Sequence, residues 1–166
     1  VIESTYGDRN HRSRTDTLAE FRLAVTGTLA GGGNVVIPTF ALERAQDLLF
    51  YLRQFMQEGS VPNTTPVFLD SPMAISATEI FRRHPECFEP EVKQRLLAGD
   101  DPFALPKLKF TQTADASKAI AAARGAIIMA GSGMATGGRV LHHLKNNLAN
   151  AANRVILVGY AAAGTP

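Results

Sequence analysis

Short continuous apolar runs along this chain are followed, again and again, by longer stretches with helical periodicity. In the first such stretch Leu18, Phe21, Val25 and Leu29 recur three to four residues apart. Thr17 and Glu20 stand there as a capping box, and Gly31, Gly32 and Gly33 form the stop. The run Asn34-Val35-Val36-Ile37-Pro38 predicts a short buried strand, and a second helix is expected over 42–57 with Leu48, Leu49, Leu52, Phe55 and Met56 facing inward. Further strands are predicted over 65–69, 108–111, 126–129 and 155–158, and further helices over 73–83, 114–123 and 140–148. Segment 85–106, with four prolines and a short helical pattern at 92–97, reads as decoration at a sheet edge. Short apolar strands separated by helices indicate a parallel sheet covered on both faces. The expected fold is therefore α/β and doubly wound, a mainly parallel sheet with helices on both faces, as one domain over 1–166.

Composition narrows this picture. A chain of 166 residues with 45% hydrophobic and 19% charged positions can bury a real core, which argues against disorder or a fibre. No apolar run approaches the roughly 18–20 residues needed to span a bilayer, so no membrane partner is expected. The opening Val-Ile-Glu-Ser-Thr-Tyr is not a signal peptide. Cys87 stands alone between acidic neighbours, which suits an inert thiol and a cytoplasmic setting. Val1 and Ile2 read as the end of a strand and Gly164-Thr165-Pro166 as a loop about to continue, so a piece of a longer protein is expected.

Charge is unevenly spread. The net +2 hides a segment, 116–166, that has no Asp or Glu but carries Lys118, Arg124, Arg139, Lys145 and Arg154. That segment looks built to meet negative charge, although helices on the two faces of a sheet must scatter some of the five. Within it lies Gly131-Ser132-Gly133-Met134-Ala135-Thr136-Gly137-Gly138-Arg139, between a predicted strand and a predicted helix. Such a loop presents backbone N–H groups to an anion. It comes near the dinucleotide-binding fingerprint but has one residue too many, and the acid that would hold a ribose about 20 residues on is absent. Phosphate capture by backbone N–H groups, assisted by Ser132 and Arg139, is the simpler account; Arg139 equally reads as a surface residue at a helix start.

Other chemistry is sparse. Glu3 ends a strand-like run and could polarise a neighbouring imidazole or simply cap the next turn. Asp8 and Arg9 read as a surface pair, His84 as a helix C-terminal cap, and His11 lacks a second ligand at metal-binding spacing. His142 and His143 lie about 100° apart around a helix and cannot hold one metal from one face; one of them should pack on the sheet. No Ser–His–acid set and no activated thiol is evident.

The ordered series Glu3-Ser4-Thr5-Tyr6-Gly7-Asp8-Arg9, Pro38-Thr39-Phe40-Ala41-Leu42-Glu43-Arg44-Ala45-Gln46, Leu69-Asp70-Ser71-Pro72, the 131–144 segment and Val158-Gly159-Tyr160 resembles the β-CASP region of RNA-processing metallo-β-lactamase-fold nucleases. In that family the Rossmann-like β-CASP domain is inserted within a metallo-β-lactamase domain, and the cleft between them holds two zinc ions and RNA. The resemblance implies that Glu3 is the motif acid near the metal centre, paired with a histidine from later in the longer chain. It places Tyr6 on the cleft lining, with Arg44, Ser132, Gly133, Met134, Gly138 and Arg139 on the RNA side. Arg44 equally reads as an ion-pair partner of Glu43 or Asp47. The H-x-H-x-D-H signature and the remaining zinc ligands are not in this sequence, so no cofactor is expected in the chain itself and two zinc ions in the full-length protein. By itself it is expected to cleave nothing. The expected partners are RNA and the flanking metallo-β-lactamase domain, with a homo-oligomer left open. The alternative is a stand-alone Rossmann-like module for a dinucleotide or sugar phosphate.

Overall fold

The computed structural model describes residues 1–2 and 4–165. Its elements are α1 (Arg14–Ala30), β1 (Val35–Pro38), α2 (Arg44–Gln57), β2 (Val67–Asp70), α3 (Pro72–Arg83), α4 (Pro90–Leu97), β3 (Leu108–Phe110), α5 (Ala114–Ala119), β4 (Ile127–Ala130), α6 (Val140–Asn147) and β5 (Arg154–Val155). Short 3-10 turns at Pro85–Cys87 and Ile120–Ala122 complete them. The five strands form one sheet in the order β3-β2-β4-β1-β5, with every pairing parallel. Each of β1, β2 and β4 is buried along its whole length, as strands covered on both faces must be.

Side-chain alternation sends the strands' residues to two cores. Val35, Ile37, Val67, Leu69, Ile127 and Met129 meet α1, α2 and α3 in the larger core, around Phe21, Leu49, Leu52 and Phe55. Val36, Phe68 and Ile128 face the other way and meet Ile120, Ala126 and Leu144 beneath α5 and α6. The inward stripe expected of α2 is present, since Leu48, Leu49, Leu52, Phe55 and Met56 are all buried. His143 is the histidine that packs on the sheet, at 0% exposure. The amide of His84 bonds Phe81 O at the end of α3, as a C-cap should.

Three local expectations are corrected. Thr17 and Glu20 do not cap α1, because Ser13 Oγ already accepts the Asp16 amide at 3.0 Å and starts the helix four residues earlier. Thr17 instead donates back to Ser13 O at 2.9 Å, and Glu20 pairs with Arg12. The helix expected over 114–123 tightens into a 3-10 turn after Ala119. Strand β5 is two residues long, although the Ile156 amide still reaches Val36 O at 3.0 Å, because an edge strand is held from one side only. Val1 and Ile2 are exposed and in no strand, with no described neighbour strand to pair them. No helix among the described residues is long and apolar enough to cross a membrane.

Candidate functional site

Parallel strands deliver all their carboxyl ends to one rim, and in open α/β sheets that rim is where ligands bind. Here the rim collects Phe40 after β1, Asp70 at the end of β2, Thr111 after β3, the 131–139 loop after β4, and Gly159 and Tyr160 beyond β5.

Asp70 organises one side of the rim. It shares the face of Phe68, opposite Val67 and Leu69, and so ends a wholly buried strand beneath α5 and α6 at 0% exposure. A carboxylate there is tolerable only if its lone pairs are filled. Oδ1 accepts from Thr111 Oγ1 at 2.6 Å and Arg139 Nη1 at 2.7 Å. Oδ2 accepts from Ser117 Oγ at 2.5 Å and His143 Nε2 at 2.6 Å. Burial alone would raise the Asp70 pKa, but the hydrogen bonds from His143, Ser117, Thr111 and Arg139 outweigh it and hold the carboxyl well below the usual carboxylate range. Arg139 also donates to the carbonyls of Thr111 at 2.8 Å and Gln112 at 2.7 Å. One carboxylate thus ties β2, the end of β3, α5 and α6 together. The second ring nitrogen of His143, Nδ1, is buried without a hydrogen-bond partner among the described residues.

The glycine loop folds onto itself. The Ser132 amide bonds Gly137 O at 3.1 Å, the Ala135 amide bonds Ser132 O at 3.2 Å, and the Val140 amide bonds Gly131 O at 2.9 Å. The first amide of α6 is therefore used inside the loop and is not presented to a ligand. Gly138 has φ +78°, and a Cβ there would lie 2.6 Å from Gly131 O, so both conformation and space demand glycine. Gly133 makes room of another kind, since a Cβ would fall 2.6–2.8 Å from the Phe40 ring in its present place. That ring also reaches Gly159, whose hypothetical Cβ would be 3.5 Å away. Tyr160 meets the edge of Tyr6 at 5.9 Å between centroids, and Tyr6 meets His11 at 4.5 Å.

The residues expected at the site do not all gather. Ser132, Gly133, Met134, Gly138 and Arg139 share the loop or its end, and Tyr6 joins the rim through Tyr160. The Arg139 guanidinium, however, turns inward to Asp70, with its side chain only 25% exposed. Arg44 lies 3.9 Å from Asp47, the pairing foreseen as its other role, and lines an open groove of about 950 Å³ between α1, α2 and β5 instead of the loop. Glu3 lies outside the described residues. The five cations of the acid-free segment also part company. Arg124, just before β4, and Arg154, opening β5, stand at the amino ends of the strands, and Lys118 pairs with Asp115 at 3.5 Å. The missed residues are Thr111, Ser117 and the charge hub itself. An Asp closing an otherwise apolar strand was the available signal, because such a group must find partners.

Comparison with known proteins defines the family. The β-CASP domain model matches residues 45–166, and the chain belongs to the β-CASP domain family. It is 42% identical over 165 residues to ribonuclease TTHA0252 of Thermus thermophilus, covering 99% of this chain and 38% of that protein. It is 36% identical over 169 residues to the transcription termination factor FttA of Cenarchaeum symbiosum and, equally, to that of Methanocaldococcus jannaschii. Those alignments cover 99% of this chain and 26% of each FttA, so the chain spans between about a quarter and two fifths of these relatives.

Proposed function

We propose that this chain is the β-CASP part of a zinc-dependent ribonuclease and forms the RNA-facing wall of its cleft. The observation that carries the reading is the 42% identity, along nearly the whole chain, to a protein named a ribonuclease. The rim supports it, since polar loop groups and exposed aromatic rings stand together at the carboxyl ends of a parallel sheet. Among the described residues no three of His, Cys, Asp and Glu are grouped to hold a metal, so these residues do not fit a resident zinc ion. In this reading both zinc ions sit in a flanking metallo-β-lactamase domain, and RNA is hydrolysed only where that domain meets this one. Glu3 acts across the junction by orienting a histidine of the flanking part. The solitary Cys87 suits a cytoplasmic protein.

What this chain's own residues contribute is position. The Asp70 hub fixes Arg139 and the base of α6, and these hold the glycine loop in one conformation over the cleft. The test uses the whole protein and a labelled single-stranded RNA. Cleavage should be lost on chelation and return with added zinc, and affinity should fall as salt rises. Cleavage that persists undiminished in chelator, or affinity flat from low to physiological salt, would overturn the proposal.

A further inference from the structure

Phe40 is an unusual residue to leave in the open. It follows a wholly buried strand, yet it is 41% exposed at the rim. Its ring lies close to Gly133 of the loop and Gly159 beyond β5, both on its Cδ2–Cε2 side. With the ring where it stands, a Cβ at Gly133 would lie 2.6–2.8 Å from it, so glycine there leaves the ring its place. Two different loops thus bring a glycine to the same exposed ring. Next to Gly159 in the chain, Tyr160 is 44% exposed and carries Tyr6 and His11 in an edge-to-face and tilted cluster. The rim therefore offers aromatic surface on both neighbours of the same glycine turn, beside a loop with a Ser132 hydroxyl.

We propose that Phe40 is a stacking shelf for an unpaired nucleobase, with Gly133 and Gly159 leaving room around its ring and Tyr160 as a second stacking surface for the adjoining base. This rests on the reading of the rim as an RNA wall, and it names the substrate class as single-stranded RNA gripped through its bases. A planar ligand matches an aromatic ring left 41% exposed at the rim. Stacking needs no particular base, because every base has a π face. Phosphate contact alone would not use these rings. A paired base in a duplex could not lie on Phe40 without leaving its stack.

The experiment uses the whole protein in chelator, so that binding is read without turnover. Its probes are single-stranded oligouridine and a set of oligomers, each with one abasic site. One abasic position should weaken binding by about tenfold, the usual scale of a single base–aromatic stack. Phe40→Leu should weaken the intact oligomer by a similar factor and erase the penalty of that abasic position, while Phe40→Trp should retain it. Abasic scanning with no position-dependent loss in the unaltered protein overturns the shelf and leaves the RNA wall standing. The same holds if Phe40→Leu binds the intact oligomer as tightly as the original. If the unaltered protein binds neither oligouridine nor any other RNA, the RNA reading fails and the shelf fails with it.

Discussion

The two faces of the sheet are built on different principles. On one, α1, α2 and α3 close over a large apolar core in which Leu49, Leu52, Leu69 and Ile127 are fully buried, with Gln46 and Thr78 as a buried polar pair. On the other, a thin apolar layer of Val36, Phe68, Ile120, Ala126 and Ile128 lies between two polar hubs. The Asp70 hub stands at the carboxyl rim. At the amino rim the Asn34 side chain donates to Asn147 Oδ1 at 3.0 Å and accepts the Ala126 amide at 3.0 Å, while its own amide bonds Asn153 Oδ1 at 2.8 Å. Helix α6 turns Val140, His143 and Asn147 inward, so two of its three buried residues are polar. Apolar contact is tolerant of direction, whereas a hydrogen-bonded carboxylate is not. The first face gives the domain its core, and the second gives the rim its geometry.

The sharpest way to break this contrast is to remove one residue from each face. Asp70→Ala should lower the unfolding free energy by about 3–5 kcal/mol, because it takes the counter-charge from a partly buried guanidinium and leaves the buried His143, Thr111 and Ser117 without their acceptor. Leu49→Ala should cost about 2–5 kcal/mol through a cavity, a similar size by a different route. The distinction appears when Asp70 is replaced by Asn, which keeps the shape and removes the charge. Denaturant unfolding checks all three variants. A loss for Asp70→Ala below about 1 kcal/mol would remove the hub from the list of things holding the rim.

Acid should separate the faces again. Asp70 titrates below its unfolded value of about 3.9, so its contribution is fully present above that pH and is lost as pH falls through the lowered folded value. The stability gap between the original protein and Asp70→Asn should be widest above about pH 4 and close as the medium becomes more acidic. Leu49→Ala should show no such closing gap. A gap for Asp70→Asn that is constant with pH would mean the charge is not what the hub uses.

The same contrast explains what could be read from the sequence. Periodicity found α2 and the buried strands, because an apolar face imposes a repeat on its own segment. It also found that one of His142 and His143 must turn inward. It did not find the hub, whose partners Thr111, Ser117, Arg139 and His143 lie 41 to 73 positions from Asp70. No local repeat records such a pairing. Arg139 shows the consequence. Its place after a glycine loop suits an external anion, but the nearest unmatched buried carboxylate holds it instead. The acid-free segment scatters its cations, as elements on both faces of a sheet must, but composition does not say which end of a strand each one occupies, and Arg124 and Arg154 occupy the amino ends.

The loop offers a smaller test of how the rim depends on the second face. Gly138→Ala forces a side chain into a left-handed conformation and toward Gly131 O, so a loss of about 2 kcal/mol is expected. Gly137, where a Cβ would meet nothing within 4 Å, should accept alanine at a cost below about 1 kcal/mol. Equal losses at the two positions would show that the loop is not held in the conformation that its hydrogen bonds imply.

The smallest expected effect lies at the start of α2, on the first face. Glu43 has φ 62° and ψ −62°, and the Arg44 amide bonds Leu42 O at 2.8 Å across it. That is a tight γ-turn of the strained kind, which a residue with a Cβ adopts at a cost of roughly 1–3 kcal/mol. Its side chain caps nothing, and its charge stands near Asp47, whose pKa is raised mainly by burial and further by Glu43. Glycine relieves the steric cost while giving the unfolded chain about 0.5–1 kcal/mol of extra freedom. Glu43→Gly should therefore raise stability by about 0.5–1 kcal/mol, seen as a rise of roughly 1–4 °C in the thermal midpoint. Because Phe40 lies three residues before this turn, relief of strain that also weakens RNA binding would tie the first face to the rim as firmly as Asp70 ties the second. Relief of strain with binding unchanged would leave that role to the second face alone.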